Sequence, residues 1–399
     1  MKKGEILFRE GESVSKFYMI VDGIVSLTST IGYKISAGPG EIIGEWKLVG
    51  ESQESATAET DVELVEIEDE LPFSWNLLKR AFERLEKVNS SFTSDLKSPS
   101  EVMKIINREK KGLWRRYKDI LRSPYYRARE FMASGDYERA FKEMMKIDKR
   151  STDNDIVMDA EIWKTFCMFF VNAKNASRRY HALLRRKSEY SKYISFAALV
   201  ELVNHGEGNL KTMVSLYLKH GTLIPRRTIL MVEGEMGDES YFVLSGYPRV
   251  ARYSSGSEKL LAFLGKGEFV GEVSTLGDIP RTATVLSGGM IQSLVFKKDT
   301  LQKTVEDNRA FGVEILKAIL KRIRRMRKLK DAGGDPMKRI AILFDEKSLD
   351  EVNSMMISLE EMASYLDIDK DEVVSLLVGR KLASLRSDGT LRFLEEIRL

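Results

Sequence analysis

Two blocks of sequence occur twice in this chain, and in the same order. Residues 11–25 (GESVSKFYMIVDGIV) are similar to residues 234–250 (GEMGDESYFVLSGYPRV), and residues 38–45 (GPGEIIGE) are similar to residues 265–272 (GKGEFVGE). Each block combines alternating apolar residues with glycine turns, which predicts short antiparallel strands in a barrel or jelly roll. We therefore expect two copies of one β-domain, named roll 1 and roll 2 in chain order.

The segment between the two copies, residues 71–219, has a different pattern. Glycine is scarce there and apolar residues recur at every third or fourth position, which predicts helices. Residues 128–148 (AREFMASGDYERAFKEMMKID) have the small residues and the Gly-Asp-Tyr corner of a tetratricopeptide-like hairpin. A plain pair of antiparallel helices needs the same small residues, so both interpretations of this spacer stay open.

A long helix is predicted after roll 2, and glycines 333 and 334 end it. Its apolar positions form one stripe suited to packing on another helix: Ile315, Ile319, Ile323 and Met326. Lys and Arg are dense over residues 317–330, which indicates a solvated basic face or a surface that assists DNA binding.

Composition excludes several classes of protein. The chain is 43% hydrophobic and 31% charged, and it has neither an apolar run of about 18 residues nor an apolar leader. We therefore expect a cytoplasmic protein without a membrane segment. The single cysteine, Cys167, and the three histidines show no ligand or nucleophile spacing, so we predict no metal site, no catalytic residues and no enzyme activity. The formal net charge of +4 is small, so any nucleic-acid surface must be local.

One stretch of roll 2 (FVGEVSTLGDIPRTATV, starting at Phe269) carries residues suited to an anion. Gly271 lets the backbone approach a ligand closely, and Glu272 offers a carboxylate that accepts hydrogen bonds from a sugar hydroxyl. Arg281 presents a planar fork suited to bidentate phosphate recognition, and two amides follow it. A guanidinium and several N–H groups in a partly dry pocket make a sound anion site.

This stretch resembles the phosphate-binding cassette of cyclic-nucleotide-binding domains, whose pattern is F-G-E-[LIV]-[AS]-x(5)-P-R-[TAS]-A. It departs from the pattern at one point, because Phe269 stands one residue too early. The resemblance implies that Glu272 binds the ribose 2′-hydroxyl and Arg281 the cyclic phosphate of cAMP or cGMP. It also implies contacts from the backbone amides of five residues: Gly271, Val273, Ser274, Thr282 and Ala283. A β-roll that kept the pattern without the ligand is the alternative.

The cassette of roll 1 aligns without gaps over residues 44–56 (GEWKLVGESQESA), and this alignment puts Glu54 at the position of Arg281. A lost charge-assisted hydrogen bond costs about 1.5–3 kcal/mol. A carboxylate about 4 Å from a phosphate adds about 1–4 kcal/mol of repulsion. We therefore expect roll 1 to be a structural or signalling copy that binds no nucleotide.

Residues 226–399 resemble the bacterial catabolite-activator (Crp/Fnr) family, with a roll, a long helix and a winged helix-turn-helix. The resemblance implies dimerisation through the long helix and a helix-turn-helix at residues 358–377 (SLEEMASYLDIDKDEVVSLL). Its candidate DNA-contacting residues are Lys370, Ser375, Arg386 and Arg392. The chain departs from the family at Asp367, where a turn glycine is expected, and at the acidic start of the second helix, so DNA binding is expected to be weak.

The predicted fold is α+β and multidomain, with two jelly-roll-like cyclic-nucleotide-binding β-rolls separated by an α-helical region and a C-terminal winged helix. The predicted domains are a degenerate roll (1–70), a helical spacer (71–219), the nucleotide-binding roll (220–298), a dimerisation helix (299–332) and a winged helix-turn-helix-like domain (333–399). We expect a homodimeric transcription regulator that responds to a cyclic nucleotide. The alternative is a nucleotide-sensing adaptor whose helical and winged domains bind a protein partner. No further cofactor is expected.

Overall fold

Roll 1 is a pair of antiparallel sheets. The structure, a computed structural model, describes residues 1–68, 70–90, 96–110, 114–150, 152–171, 173–206, 210–253, 257–345 and 347–398. The strands of roll 1 are β1 (Ile6–Phe8), β2 (Phe17–Asp22), β3 (Val25–Ser29), β4 (Tyr33–Ala37), β5 (Ile42–Ile43), β6 (Ser55–Ala58) and β7 (Glu63–Ile67). A short 3-10 helix, Glu45–Leu48, lies between β5 and β6. The strand orders of the two sheets are β1-β6-β3-β4 and β5-β2-β7.

Helices follow roll 1, as the sequence pattern predicts for this segment. They are α1 (Trp75–Ser90), α2 (Pro99–Glu109), α3 (Tyr117–Ile120), α4 (Pro124–Ala133), α5 (Tyr137–Met145), α6 (Asn154–Val171), α7 (Ala173–Arg185), α8 (Lys187–Tyr190), α9 (Ile194–His205) and α10 (Thr212–His220), with the two-residue strand β8 (Arg115–Arg116) before α3. Ala128 and Ala140 are fully buried where α4 packs on α5, because small residues let the two backbones approach closely. No helix within the described ranges is long and apolar enough to cross a membrane.

Roll 2 repeats the two-sheet arrangement of roll 1. Its strands and its one short helix, in chain order, are β9 (Gly221–Ile224), β10 (Thr228–Met231), β11 (Glu239–Ser245), β12 (Pro248–Arg252), β13 (Lys259–Phe263), β14 (Phe269–Val270), α11 (Glu272–Gly277), β15 (Thr284–Ser287) and β16 (Ile291–Lys297). The sheets have the orders β13-β12-β15-β10-β8 and β14-β11-β16-β9. Strand β8 joins roll 2 from the helical segment, parallel to β10, so the spacer and roll 2 share a sheet.

The C-terminal part of the chain is helical and ends in a hairpin. Its elements are α12 (Lys298–Asp307), α13 (Arg309–Ala332), α14 (Pro336–Phe344), α15 (Leu349–Ser354), α16 (Leu359–Leu366), α17 (Lys370–Val373), a π-helical turn (Val374–Gly379), β17 (Ala383–Leu385) and β18 (Leu391–Phe393). Asp367 adopts a left-handed conformation, φ +64°, between α16 and α17, at the position where the family resemblance predicts glycine. The assignment of α14–β18 to the winged helices stays a prediction.

Helix α13 packs along α1 of the same chain. Ile315, Ile319 and Ile323 are completely or almost completely buried, and Met326 is partly buried against the same core. The prediction that this stripe joins two protomers is therefore wrong. The physical reason is that α1, which follows roll 1, provides the apolar partner face that the prediction assigned to a second chain.

The C-terminal unit is docked on the outer face of roll 2. Tyr365 of α16 packs edge-on against Phe263 of β13, with ring centroids 5.6 Å apart. Nearby, the Leu260 amide donates to the Ser364 Oγ (2.9 Å). Arg249 of β12 forms a mostly buried ion pair with Glu361. One apolar core is thus shared between roll 2 and the C-terminal unit.

Candidate functional site

The cassette of roll 2 begins at Gly271, where β14 ends and α11 starts. This residue has φ +83°, a conformation that L side chains rarely adopt. A Cβ here would overlap the Met231 side chain and would lie 2.7 Å from the Arg281 Nη1. The turn therefore requires glycine both for its backbone conformation and for the space it leaves to the arginine.

Arg281 is buried, with 5% of its surface exposed. Its Nη1 donates to the Gly271 carbonyl (2.8 Å) and its Nη2 to the Glu239 carbonyl (2.6 Å), while the Thr275 hydroxyl lies 3.4 Å from Nη1. Among the described residues no carboxylate forms an ion pair with this guanidinium, and its burial lowers the pKa of Arg281. A buried cation held by neutral oxygens favours the approach of an anion.

Glu272 is also buried, with 1% of its surface exposed. Its Oε1 accepts a hydrogen bond from the Arg322 Nη1 of α13 at 2.6 Å, whereas its Oε2 is buried without a hydrogen-bond partner. Burial raises the pKa of Glu272, although the positive charge of Arg322 opposes this shift. The unsatisfied oxygen is an acceptor in position for a donor such as a sugar hydroxyl.

A cavity of about 30 Å³ lies between these side chains. All seven residues that the sequence predicted line this cavity: Gly271, Glu272, Val273, Ser274, Arg281, Thr282 and Ala283. Residues from outside the cassette, among them Met231 and Arg322, line it too. The structure thus brings the predicted residues together. Sites for small ligands usually measure about 300–1,000 Å³, so this cavity is too small for a nucleotide in the present conformation.

The gap-free alignment of the two cassettes is wrong by two residues. In roll 2 the Gly234 amide donates to the Arg281 carbonyl at 2.8 Å, and the Arg281 amide donates back to the same turn. In roll 1 the equivalent Gly11 amide donates to the Ser52 carbonyl at 2.8 Å, and the Ser52 amide donates back. Ser52 therefore occupies the position of Arg281, because the loop of roll 1 is two residues shorter, and Glu54 lies two residues beyond it.

Glu54 is nevertheless part of the cassette of roll 1, where it binds an arginine of the same chain. Arg84 of α1, fully buried, donates from Nη2 and Nε to the two Glu54 oxygens (2.7 and 2.8 Å) and from Nη1 to Glu45, the counterpart of Glu272. The Tyr33 hydroxyl also donates to Glu54 at 2.9 Å. Roll 1 is thus closed by an internal cation, which the sequence analysis did not predict.

The pKa values of the two buried carboxyls of roll 1 are shifted in opposite directions, although Arg84 lowers both. Burial raises the pKa of Glu54, and the negative charge of Glu45 adds to the effect despite the attraction of Arg84. For Glu45, the opposing attraction of Arg84 and Arg80 outweighs burial and holds its pKa below the usual range. The positive charge of Arg84 is therefore the main charge that balances the two buried carboxylates of roll 1.

The residues predicted to contact DNA lie on α17, on the π-helical turn and on the hairpin of the C-terminal unit. Lys370, at the start of α17, forms an ion pair with Glu360 at 2.7 Å, and Ser375 is exposed on the π-helical turn. Arg386 is half-buried at the end of the hairpin, and Arg392 is exposed on β18. The structure leaves their role in DNA binding a prediction.

Over about one and a half turns of α13, the basic side chains contact other parts of the protein. Arg325 forms an ion pair with Glu268 of roll 2 at 2.5 Å, close to the pair between Arg322 and the cassette. On the other side of the helix, Arg324 donates to the Val49 carbonyl of roll 1 (2.7 Å), and Arg327 pairs with Glu10 (2.5 Å). The helix therefore joins the two rolls through charged contacts.

Comparison with known proteins assigns both rolls to one family. The family model "Cyclic nucleotide-binding domain" matches residues 1–71 and 223–308. Each of the two rolls is therefore similar to a cyclic-nucleotide-binding domain.

Curated relatives match about a quarter of the chain. The CRP-like cAMP-activated global transcriptional regulator of Mycobacterium tuberculosis is 28% identical over 102 residues, which is 25% of this chain and 46% of that protein. A cAMP-dependent protein kinase regulatory subunit of Mycosarcoma maydis is 30% identical over 105 residues, 26% of this chain and 19% of that protein. The chain thus spans about half the length of the mycobacterial relative.

Two bacterial regulators are among the solved structures that match part of the chain. The c-di-GMP responsive regulator CLP of Xanthomonas campestris has a TM-score of 0.34 at 20% identity and covers 44% of this chain and 93% of its own. The catabolite activator protein of Thermus thermophilus has a TM-score of 0.27 at 23% identity and covers 48% of this chain and 93% of its own.

Proposed function

We propose that roll 2 binds a cyclic nucleotide, cAMP or cGMP, with Arg281 on the phosphate and Glu272 on the ribose. The observation that carries this proposal is the burial of the Arg281 guanidinium among neutral oxygens. An unpaired buried cation is unfavourable, and a phosphate oxygen in contact with it removes much of that penalty through charge-assisted hydrogen bonds. The unsatisfied Glu272 Oε2 supports the same assignment, since a 2′-hydroxyl supplies the missing donor.

Titration calorimetry with cAMP and with cGMP tests the proposal. We expect one site per chain, and we expect Arg281→Gln to weaken binding at least about a hundredfold, because two charged hydrogen bonds are lost. Arg226→Gln, which removes an exposed arginine of the same roll before β10, is the matched control and should leave the affinity unchanged. Two equal sites per chain, or full affinity in Arg281→Gln, would overturn the assignment.

We further propose that the C-terminal unit is the output of a cytoplasmic transcription regulator, and that the chain divides near residues 70, 219, 298 and 332. The order α16, left-handed Asp367, α17 and hairpin β17–β18 supports a winged helix-turn-helix. The name of the mycobacterial relative, a transcriptional regulator, supports the same output. Homodimerisation belongs to this proposal, through a surface other than the covered stripe of α13.

A second candidate is a signalling adaptor whose C-terminal unit or helical spacer binds a protein. Two observations favour it. Arg322, Arg324, Arg325 and Arg327 of α13 are engaged inside the protein. Lys370, the one base at the acidic start of α17, is paired with Glu360. Both observations reduce the positive surface on which DNA affinity depends.

A further inference from the structure

The helical spacer exposes a basic surface that the proposed function does not use. Residues 173–188 contain six Lys or Arg and neither Asp nor Glu, so this segment alone carries more positive charge than the formal net charge of +4 of the whole chain. Four exposed residues of α7 follow one another at intervals of three or four positions and therefore lie on one face of the helix: Lys174, Arg178, His181 and Arg185. We call this face the basic stripe. Its length is about 16 Å, because a helix rises by about 1.5 Å per residue.

The rest of the chain does not neutralise the basic stripe. Helix α7 packs on α6 through its opposite face, on which Ala176, Tyr180 and Leu183 are buried. Within the described part of the chain, no carboxylate forms an ion pair with a member of the stripe. Like charges three and four positions apart on a helix repel one another. The stripe therefore favours contact with an acidic partner.

The C-terminal unit of the same chain has the opposite charge. Residues 333–399 contain fourteen Asp or Glu and nine Lys or Arg. Lys370, the one base at the start of α17, is paired with Glu360 at 2.7 Å, so its charge is already balanced. Three carboxylates around it are exposed: Asp369, Asp371 and Glu372. The chain thus carries, on two different elements, an exposed basic surface and an exposed acidic surface that match each other in charge.

We propose that the basic stripe of one protomer docks on the carboxylates at the start of α17 in a second copy of the chain. Under two-fold symmetry each protomer contributes one basic and one acidic surface, so a dimer makes this contact twice. The inference rests on the homodimerisation proposed above, for which the covered apolar face of α13 provides no surface. It assigns α17 to a protein contact and leaves contact with DNA to Arg386 and Arg392 of the hairpin.

Exposed apolar side chains favour a protein over a nucleic acid as the occupant of the stripe. Helix α6 ends just before the stripe with Phe170 and Val171, which are 38% and 42% exposed. The C-terminal unit exposes three large apolar side chains by 46% to 53%: Met356, Leu385 and Leu394. Such side chains gain from contact with another protein, whereas the backbone of a nucleic acid is recognised mainly through its charge.

Light scattering over a range of salt concentrations tests the inference. At low salt the parent protein should have twice the mass of one chain, and the mass should fall toward that of one chain as salt screens the exposed charges. One variant reverses two charges of the stripe, with Arg178→Glu and Arg185→Glu. A second reverses two charges at α17, with Asp371→Lys and Glu372→Lys. Each variant alone should raise the dissociation constant of the dimer at least about a hundredfold, because four attractive contacts per dimer become repulsive.

An equimolar mixture of the two variants should form the dimer again. In the mixed dimer, the reversed stripe faces the reversed α17 and the unchanged stripe faces the unchanged α17, so opposite charges meet in both contacts. The control is a variant with Arg226→Glu and Arg309→Glu, which makes the same change of charge at exposed positions outside both surfaces and should leave the mass unchanged. Recovery in the mixture also shows that both variants are folded.

The possible results separate this inference from the proposed function. A dimer that persists in both variants, or a parent mass that does not depend on salt, would overturn the docking of α7 on α17 and assign the homodimer to another surface. A mixture that stays monomeric although both variants melt at the temperature of the parent would overturn it as well. A monomeric parent at low salt would refute both the inference and the homodimer. Nucleotide binding by roll 2 is measured separately by calorimetry, so it stands or fails independently of these results.

Discussion

Replacement of Arg84 by methionine should destabilise roll 1 by about 4 kcal/mol at pH 7, within the range of about 3–5 kcal/mol for breaking a buried ion pair. Methionine fills much of the same space but cannot balance Glu45 and Glu54, both fully buried. Glu45 keeps a second basic neighbour, Arg80, at 3.6 Å. Glu54 loses its arginine and must take up a proton in order to stay buried.

The size of the loss of stability follows from the free energy needed to protonate Glu54 at the pH of the experiment. Protonation of a glutamate with an ordinary pKa of about 4.3 costs about 1.36 kcal/mol for each pH unit above it, which is about 3.7 kcal/mol at pH 7 and about 1 kcal/mol at pH 5. In the variant, the folded state binds a proton that the unfolded state releases above about pH 4.3, so its stability must fall as the pH rises.

Urea unfolding of the parent and of Arg84→Met at pH 5, 6 and 7 measures this dependence. Tryptophan fluorescence is a suitable signal, because Trp46 of the cassette is fully buried. Lys79→Met, on an exposed position of the same helix, should change stability by less than about 0.5 kcal/mol. Adding Glu54→Gln to Arg84→Met should recover stability at pH 7. A loss below about 1 kcal/mol at pH 7, or one that does not vary with pH, would refute the role of Arg84 as the counter-charge of Glu54.

Two further predictions concern the core of the molecule. Ile319→Glu should lower the melting temperature without changing the mass measured by light scattering, because Ile319 is buried by α1 of the same chain; a drop in mass would contradict an internal seam. Burial, with the nearby charge of Lys219, lowers the pKa of His220 to about 4. Since the unfolded state takes up this proton near pH 6.5, stability should be lost as the pH falls from about 6.5 to 4, and His220→Phe should remove that part of the pH dependence of melting.

The sequence predicts the two rolls and the cassette of roll 2 because these depend on local features. The turn at Gly271 needs a residue that tolerates positive φ, and the Pro-Arg pair has a fixed spacing from it. The register of the cassette in roll 1, by contrast, does not depend on such local features. The two missing residues lie in a loop between Gly44 and Ser52, and no residue type marks where they are lost. Hydrogen bonds to the Gly-Glu turn define that register, so it emerged only from the structure.

A sequence likewise does not show which surface packs against an apolar stripe. The stripe on α13 predicts burial, which is confirmed, but a second chain and a second helix of the same chain satisfy it equally well. Helix α1 did carry a signal. Arg84 lies on the face formed by Leu77, Ala81 and Val88, where a cation is unexpected unless a buried acid faces it. Recognition of that pattern would have predicted the closure of roll 1.

The balance of charges on the C-terminal unit limits the DNA binding that we propose for it. Asp369 caps α17, and its side chain accepts from the Glu372 amide, so carboxylates stay at the end of the helix where phosphates should lie. Of the residues predicted to contact DNA, Arg386 and Arg392 of the hairpin form no ion pair with a carboxylate among the described residues. Two phosphate contacts correspond to a slope of about −2 in a plot of log affinity against log salt concentration.

Fluorescence anisotropy with nucleotide-saturated protein and duplexes of several sequences, over a range of salt concentrations, measures that slope. We expect weak binding, and we expect Arg392→Gln to weaken it equally on all sequences and to reduce the slope by about one, because the side chain contacts the backbone of DNA rather than its bases. Arg226→Gln, far from this unit in sequence and exposed on roll 2, is the control. Tight binding to one sequence would show that the carboxylates of α17 do not face phosphates. The protein could also fail to bind DNA at low salt while cAMP or cGMP is bound in roll 2. That result would favour the signalling adaptor, because the nucleotide sensor would then have no DNA-binding output.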